Sequence, residues 1–159
     1  MATNIENLSP QIDLPKVEHE ILSFWETQDI FHKSVAARNG APTWTFYEGP
    51  PTANGKPGTH HIEARVFKDV FPRYQTMKGK QVVRKAGWDC HGLPIELNVE
   101  KKHGKVGEKL SAHEFRQACR EYAASQVTCQ KADFERLGVI GDWQNPYLTM
   151  HSHYEANAV

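Results

Sequence analysis

Two glycine- and proline-rich segments, 47–55 (YEGPPTANG) and 87–94 (GWDCHGLP), carry groups that could bind a ligand directly after apolar, strand-like runs. Parallel sheets bind ligands at the carboxyl ends of their strands, where successive loops converge. The stretch between the two segments is long enough for one crossover helix. The sequence therefore predicts that both segments lie at one edge of a parallel sheet.

The first segment combines rigid and open backbone. Pro50 and Pro51 fix their φ angles and remove two donors, which leaves a stiff wall whose carbonyl groups point in set directions. Gly49 has no side chain, so a ligand can approach its backbone closely. These three residues are candidates for binding a substrate.

A histidine pair follows at the start of the next predicted helix. Free N–H groups and the helix dipole favour anions at such a position. His60 and His61 could donate hydrogen bonds to a polyphosphate and, when charged, neutralise it.

The second segment adds a carboxylate and a third imidazole. Asp89 lies at the tip of the predicted strand, in a setting of Gly, Trp, His and Pro, where it could hold an ammonium group. His91 could contact a phosphate or a ribose.

Each candidate also has a purely structural interpretation. A proline pair after a strand often forms only a turn, and the histidine pair could cap its helix. Asp89 could cap a turn with its carboxylate, and Trp88 is typical of a core residue. Cys90 is expected to be a small buried residue, because no neighbouring feature favours a thiolate. The occurrence of both segments at crossover spacing favours the functional interpretation.

The rest of the pattern supplies the elements that position these residues. It predicts helices over 15–34, from about 60 to 78, over 95–103 and over 111–137, and strands over 43–47 and 81–87. Pro72 should kink the second helix or break it in two, and Gly79 should end it. Ser111 and Glu114 form a capping box at the start of the last helix. That helix is expected to turn inward Phe115, Cys119, Tyr122, Phe134 and Leu137.

Strand, loop, helix and strand together predict an α/β fold, the first half of a Rossmann-like nucleotide-binding domain with a parallel sheet. Only two strands are evident where such a sheet needs four or more, so the chain is expected to be truncated. Residues 1–42 are assigned to an N-terminal arm and helix, and residues 43–159 to the first half of the domain.

Composition narrows the class further. The 159 residues include 19 basic and 19 acidic side chains, so no global positive field favours nucleic acid. No apolar run has the length of a membrane span, and the N-terminus lacks a signal-peptide pattern. The three cysteines form no Cys-x-x-Cys pair. A cytoplasmic protein is expected.

At these motifs the chain resembles the N-terminal part of an isoleucine–tRNA ligase, a class I aminoacyl-tRNA synthetase. The resemblance runs from about residue 10 to the end. It is carried by segments 46–55 (FYEGPPTANG), 87–94 and 146–150 (PYLTM), and by the pairs Lys68-Asp69 and Arg73-Tyr74. Valine and leucine enzymes share the architecture, and a relative with either specificity is the alternative.

The resemblance implies a catalytic domain that joins isoleucine to ATP, releases pyrophosphate and transfers isoleucine to tRNA(Ile). Mg²⁺ is expected with the ATP, and no protein-bound metal site is expected. Gly49, Pro50 and Pro51 would line the amino-acid pocket. Asp89 would bind the α-ammonium group, and Gly92 would approach the adenylate. The residues implied for ATP are Gly58, His60, His61 and His91, with His60 and His61 as the catalytic pair.

One departure from the family affects these assignments. The class signature at the helix start is His-x-Gly-His, whereas this chain has Gly58-Thr59-His60-His61. Either the imidazole of His60 obstructs the adenine, or His60 supplies the imidazole that is missing at Gly58. We favour the second interpretation, in which His60 takes over the role of the first histidine of the signature.

Several parts expected of a complete enzyme are absent from the sequence. It contains no Lys-Met-Ser-Lys-Ser-like loop, no editing domain and no anticodon-reading domain, so the chain is expected to be incompetent alone. A non-catalytic paralogue that binds nucleotide or isoleucine is the competing hypothesis, and a gene piece without a stable fold is a third.

Overall fold

The computed structural model describes residues 11–158, so most of the predicted N-terminal arm lies outside the described residues. The elements are α1 Leu14–Thr27, α2 Ile30–Ala36, α3 Thr59–Met77, β1 Lys85–Trp88, α4 Leu93–His103, α5 Ala112–Arg136, β2 Asp142–Leu148 and α6 Ser152–Ala156.

The predicted N-terminal helix is two helices rather than one. Asp13 caps α1 by accepting the N–H of Lys16 at 3.2 Å, and Pro15 lies in the first turn as predicted. Asp29 has φ +50° in the left-handed region. A residue in that conformation cannot continue a right-handed helix, so the prediction of one continuous helix over 15–34 is wrong.

Helix α3 runs without a break through Pro72, so of the two predicted outcomes, a kink or a break, the break is wrong. Its end is confirmed, because Gly79 follows with φ +86°. The apolar side of this helix is largely exposed, although Phe71 stacks on Phe46, and its exposed members are Val66, Phe67, Val70, Phe71, Tyr74 and Met77. The opposite side is polar and contacts the rest of the molecule through hydrogen bonds and ion pairs of Arg65, Lys68, Asp69 and Arg73.

The sheet within the described residues consists of β1 and β2, paired in parallel. Gly87 lies opposite Tyr147 and Trp88 opposite Leu148, with an irregularity between Lys85 and Gly87. Strand β2 is not predicted from the sequence, because it contains Asn145 and Pro146, which are rare inside strands.

The strand predicted over 43–47 is not regular, and the one over 81–87 is replaced by β1 at 85–88. Within residues 43–52, only Thr43 and Thr52 form bridges, to Gln81 and Asp89 respectively, and both bridges are parallel. The stretch therefore runs beside the segment that leads into β1, with α3 as the connection. The α/β class with a small parallel sheet is confirmed.

The core lies between β1, α4 and α5. Its largest fully buried side chains are Trp88, Phe134, Ile95 and Val99. Ser111 and Glu114 form the predicted capping box at the start of α5. On that helix Phe115 and Phe134 are buried, and Cys119 and Tyr122 pack against the core. Leu137 was wrongly predicted to face inward, because it lies just past the helix end and is exposed.

Candidate functional site

The two glycine- and proline-rich segments lie side by side. The N–H of Asp89 donates to the carbonyl oxygen of Pro51 at 2.9 Å, and the N–H of Ala53 donates to the carbonyl oxygen of Asp89 at 2.7 Å. Ala53 is completely buried between them. The loop after β1 and the proline wall therefore form one surface, in the arrangement that the spacing predicted.

Ion pairs hold the start of the first segment against α3. Arg65 donates to the carboxylate of Glu48 at 2.6 Å, and the ammonium group of Lys68 lies 3.7 Å from the same carboxylate. Lys68 also donates to the carbonyl oxygen of Gly49 at 3.2 Å. We call these three charged residues, Glu48, Arg65 and Lys68, the Glu48 clamp. The clamp fixes the backbone immediately before Pro50.

Breaking the clamp is expected to destabilise the fold. Glu48→Gln should lower the free energy of unfolding by about 1–3 kcal/mol, because it removes the charge that pairs with the largely buried Arg65. Urea unfolding provides the measurement. The matched control is Glu18→Gln, whose pair with Arg136 is exposed and should contribute less than about 1 kcal/mol. Equal losses in the two variants would contradict a stabilising role for the clamp.

The histidine pair occupies the first turn of α3. The rings of His60 and His61 lie with their centroids 3.9 Å apart, and both residues are exposed. Nδ1 of His61 accepts the N–H of Gly58 at 3.0 Å, so one imidazole does cap the helix. Partial desolvation, and secondarily the charge of His60, lowers the pKa of His61. A lowered pKa favours the neutral imidazole that this hydrogen bond requires.

The imidazole of His60 lies directly beside Gly58. A Cβ atom at residue 58 would lie 3.1 Å from Cε1 and 3.2 Å from Nδ1 of His60. These distances are shorter than comfortable van der Waals contact, so the absence of a side chain at Gly58 makes room for the ring. The His60 ring thus occupies the space into which a residue-58 side chain would project.

Asp89 is half-buried and performs part of the structural role considered for it. Its Oδ1 accepts the N–H of His91 at 3.2 Å, which caps the turn after β1. Within residues 11–158 no basic side chain forms an ion pair with this carboxylate. The arrangement leaves the negative charge available to a cationic ligand.

The remaining candidates of the second segment lie at the start of α4 and beside α6. Nε2 of His91 is 3.2 Å from the carbonyl oxygen of Thr149 and 3.6 Å from the carboxylate of Glu155. Gly92 has φ +96°, which favours glycine, and it immediately precedes α4. Cys90 is buried, and this burial raises the pKa of its thiol, as expected of a structural residue.

Sequence reasoning missed two glutamines of α5 that contact the first segment, and it predicted Tyr122 only as an inward-facing residue of that helix. Tyr122, Gln126 and Gln130 form hydrogen bonds to Asn54, Gly55 and Thr52. Their spacing of four residues was the available signal, since it places them on one side of a helix. Glutamine on a long helix is usually a surface residue, and the signal was therefore overlooked.

Two classes of feature are absent from the described part of the chain. Residues 11–158 contain no group of three or more His, Cys, Asp or Glu side chains placed to hold a metal ion. Among the same residues, no helix has both the length and the apolar character needed to span a membrane.

Comparison with known proteins identifies the family. Residues 20–159 match the family model described as tRNA synthetases class I (I, L, M and V). The chain belongs to this family. As a class I synthetase chain, it is 54% identical over 148 residues to the isoleucine–tRNA ligase of Streptomyces coelicolor, covering 91% of this chain and 14% of that protein. The corresponding enzyme of Psychrobacter arcticus is 52% identical over 147 residues, covering 92% of this chain and 16% of the relative.

A solved structure shows the same fold for this synthetase chain. The LeuRS of Agrobacterium radiobacter K84, determined as a ternary LeuRS–tRNA–LeuAMS complex, superposes with a TM-score of 0.69 at 22% sequence identity. The match covers 91% of this chain and 16% of that one. The chain thus spans about one seventh of the length of the relatives that it matches.

Proposed function

We propose that this chain is part of an isoleucine–tRNA ligase that activates isoleucine with ATP and transfers it to tRNA(Ile) in the cytoplasm. Residues 43–159 would form the first half of its Rossmann-like catalytic domain, preceded by an arm and helix over 1–42. The observation that carries the proposal is the joining of the two segments through Pro51, Ala53 and Asp89. The identity to isoleucine–tRNA ligases supports isoleucine as the substrate.

In the proposed reaction the isoleucine carboxylate attacks the α-phosphate of ATP, and pyrophosphate leaves. Asp89 would hold the α-ammonium group, since it is a half-buried carboxylate without an ion-pair partner among the described residues. Gly49, Pro50 and Pro51 would form the wall of the amino-acid pocket, which the Glu48 clamp holds in place. These groups act by positioning the reactants.

The nucleotide would lie along the starts of α3 and α4. His60 and His61 would donate to the phosphates, where the N-terminus of α3 also favours negative charge. Gly58, His91 and Gly92 complete the proposed surface for ATP and the adenylate. Mg²⁺ is expected to arrive on the ATP phosphates. Stabilising the charge that develops on the α-phosphate is the main catalytic contribution expected of these groups.

The test is isoleucine-dependent exchange of pyrophosphate into ATP. In a chimaera, residues 20–159 of this chain replace the matching segment of the Streptomyces coelicolor enzyme, with the unaltered enzyme as control. We expect exchange with isoleucine to exceed exchange with valine or leucine. Preference for valine or leucine would favour a relative of that specificity.

The altered signature around Gly58 and His60 favours a second candidate function, which is binding of nucleotide or isoleucine by a non-catalytic paralogue. The same chimaera separates the two hypotheses. Binding of isoleucine or ATP without any exchange, in a folded chimaera, would contradict the ligase and favour the paralogue.

A further inference from the structure

One side of α5 carries three polar side chains that follow the course of residues 52–55. Tyr122 donates its hydroxyl proton to Oδ1 of Asn54 at 2.9 Å. Gln126 accepts the N–H of Gly55 at 3.0 Å. Four residues further on, Gln130 donates to the carbonyl oxygens of Thr52 at 3.0 Å and Gly55 at 2.8 Å. We call Tyr122, Gln126 and Gln130 the α5 ladder.

Gln130 also reaches the second segment. Its Oε1 accepts the indole N–H of Trp88 at 3.0 Å, one residue before Asp89. Both amide protons and the amide oxygen of Gln130 are therefore used, and the residue is 4% exposed. A buried amide is costly unless its hydrogen bonds are made, so this geometry is favourable only while both segments keep their places.

The Glu48 clamp holds the start of the first segment, and two backbone hydrogen bonds join Pro51 and Ala53 to Asp89, but regular secondary structure does not define its conformation. Residues 43–52, which lead into and through it, form only isolated bridges with their neighbour, and Gly55 has φ +77°. Helix α5, in contrast, is 25 residues long and is anchored in the core by Phe115, Val127 and Phe134. A ligand site gains precision when a rigid element holds its loops.

We propose that Gln130 is a positioning residue that sets the separation of the two ligand-binding segments, with Gln126 and Tyr122 fixing the loop beside it. Its effect on catalysis rests on the proposed function, since the loops that it positions are those assigned to isoleucine and ATP. Gln130 itself contacts loop backbone and Trp88, so its action on a substrate is indirect.

Two substitutions separate the parts of this role. Gln130→Met keeps the length of the side chain and removes all three hydrogen bonds. Gln130→Glu keeps the acceptor for Trp88, but it loses both donors and places a carboxylate against two carbonyl oxygens. The matched control is Gln117→Met, because Gln117 is an exposed residue of α5 whose amide bonds to Glu121 on the same helix.

The measurement is pyrophosphate exchange by the chimaera, normalised to active sites by the burst of adenylate formation. We expect both Gln130 variants to lower kcat/KM about tenfold or more, because displacement of reacting groups by about 1 Å can have such effects. Gln130→Glu should be the more severe of the two, and Gln117→Met should be unchanged. Normalisation removes the contribution of unfolded protein, so a merely structural role would leave the corrected kcat/KM unchanged and overturn the proposal.

Hydrogen exchange on the unmodified 159-residue chain and its variants decides the positioning role independently of activity. In Gln130→Met the amides of Ala53 and Gly55 should exchange about tenfold faster, whereas the core amides of α5 should not change. A uniform acceleration, or none, would overturn the inference. If the unsubstituted chimaera shows no isoleucine-dependent exchange of pyrophosphate into ATP, the proposed function has failed. Hydrogen exchange at the amides of Ala53 and Gly55 still tests the α5 ladder in that case.

Discussion

Asp89→Asn is expected to lower kcat/KM for isoleucine by about a hundredfold, because truncating one partner of a desolvated charge pair costs about 2–5 kcal/mol. The substitution is close to isosteric. It keeps an oxygen able to accept the N–H of His91, so the turn after β1 should survive. The effect should appear chiefly as a higher KM for isoleucine with little change in KM for ATP. Pyrophosphate exchange at varied concentrations of each substrate is the measurement.

Asp142→Asn is the matched control for this substitution. Asp142 also accepts nearby backbone N–H groups, from Gln144 at 3.2 Å and Asn145 at 3.1 Å, and it lies at the opposite end of the sheet. It should leave KM for isoleucine unchanged. If the two variants behaved alike, or if Asp89→Asn raised KM for ATP instead, the assignment of Asp89 to the ammonium group would be wrong.

The meeting of the two segments was predictable because it follows from chain order and topology alone. A strand-like run, a helix of sufficient length and a second run leave few arrangements for a parallel crossover. The bridge between Thr52 and Asp89 is the observed form of that prediction. Trp88 and the capping box of Ser111 and Glu114 were equally predictable, because each depends on local chemistry.

The orientation of α3 could not be predicted from periodicity. The pattern identifies an apolar stripe but does not state which neighbour covers it. In the described chain the stripe is exposed, and the polar side carries the ion pairs of Arg65 to Glu48 and of Arg84 to Asp69. An amphipathic pattern therefore predicted the helix correctly and gave no guide to which of its two sides contacts the site.

The α5 ladder was hidden for a related reason. Gln126 and Gln130 have the composition of a solvated helix surface, and only the fold shows that loop backbone lies against them. Similarly, the polar and proline-containing sequence of β2 gives no strand pattern, and its pairing with β1 depends on contacts distant in sequence. Local propensity is a weak guide wherever tertiary contacts determine the element.

His60→Ala is expected to lower kcat for pyrophosphate exchange by about a hundredfold, which is typical for removal of one preorganised donor to a developing negative charge. The physical reason is that histidine and glycine have traded places at the start of α3, with glycine at residue 58 and histidine at residue 60. Gly58 has no side chain, and the His60 ring lies where a residue-58 side chain would project. The imidazole that the family signature carries at its first position would thus be supplied from residue 60.

The matched control is His113→Ala. His113 is exposed at the second position of α5, as His60 is at the second position of α3, but it lies outside the proposed site. It should leave exchange unchanged. The double variant Gly58→His with His60→Gly rebuilds the usual signature and should recover most of the activity lost in His60→Ala. Failure of that recovery would argue against equivalence of the two arrangements.

The titration of His61 gives a readout that does not depend on activity. Partial desolvation and, secondarily, the charge of His60 lower the pKa of His61, so His60→Ala should raise that pKa toward 6.5 in an NMR titration. Because the lowered pKa belongs to the folded state, the unfolded chain takes up the proton first as the pH falls through 6.5. The neutral imidazole that accepts the N–H of Gly58 is then lost at lower pH.

The two readouts together decide between the interpretations of the altered signature. A hundredfold loss of exchange with a raised His61 pKa is the result expected if His60 acts on the phosphates beside His61. If His60→Ala left exchange unchanged or tightened ATP binding, while the His61 pKa still rose, His60 would be an obstruction to adenine rather than a replacement imidazole. In that case His61 alone would carry the phosphate contact at the start of α3.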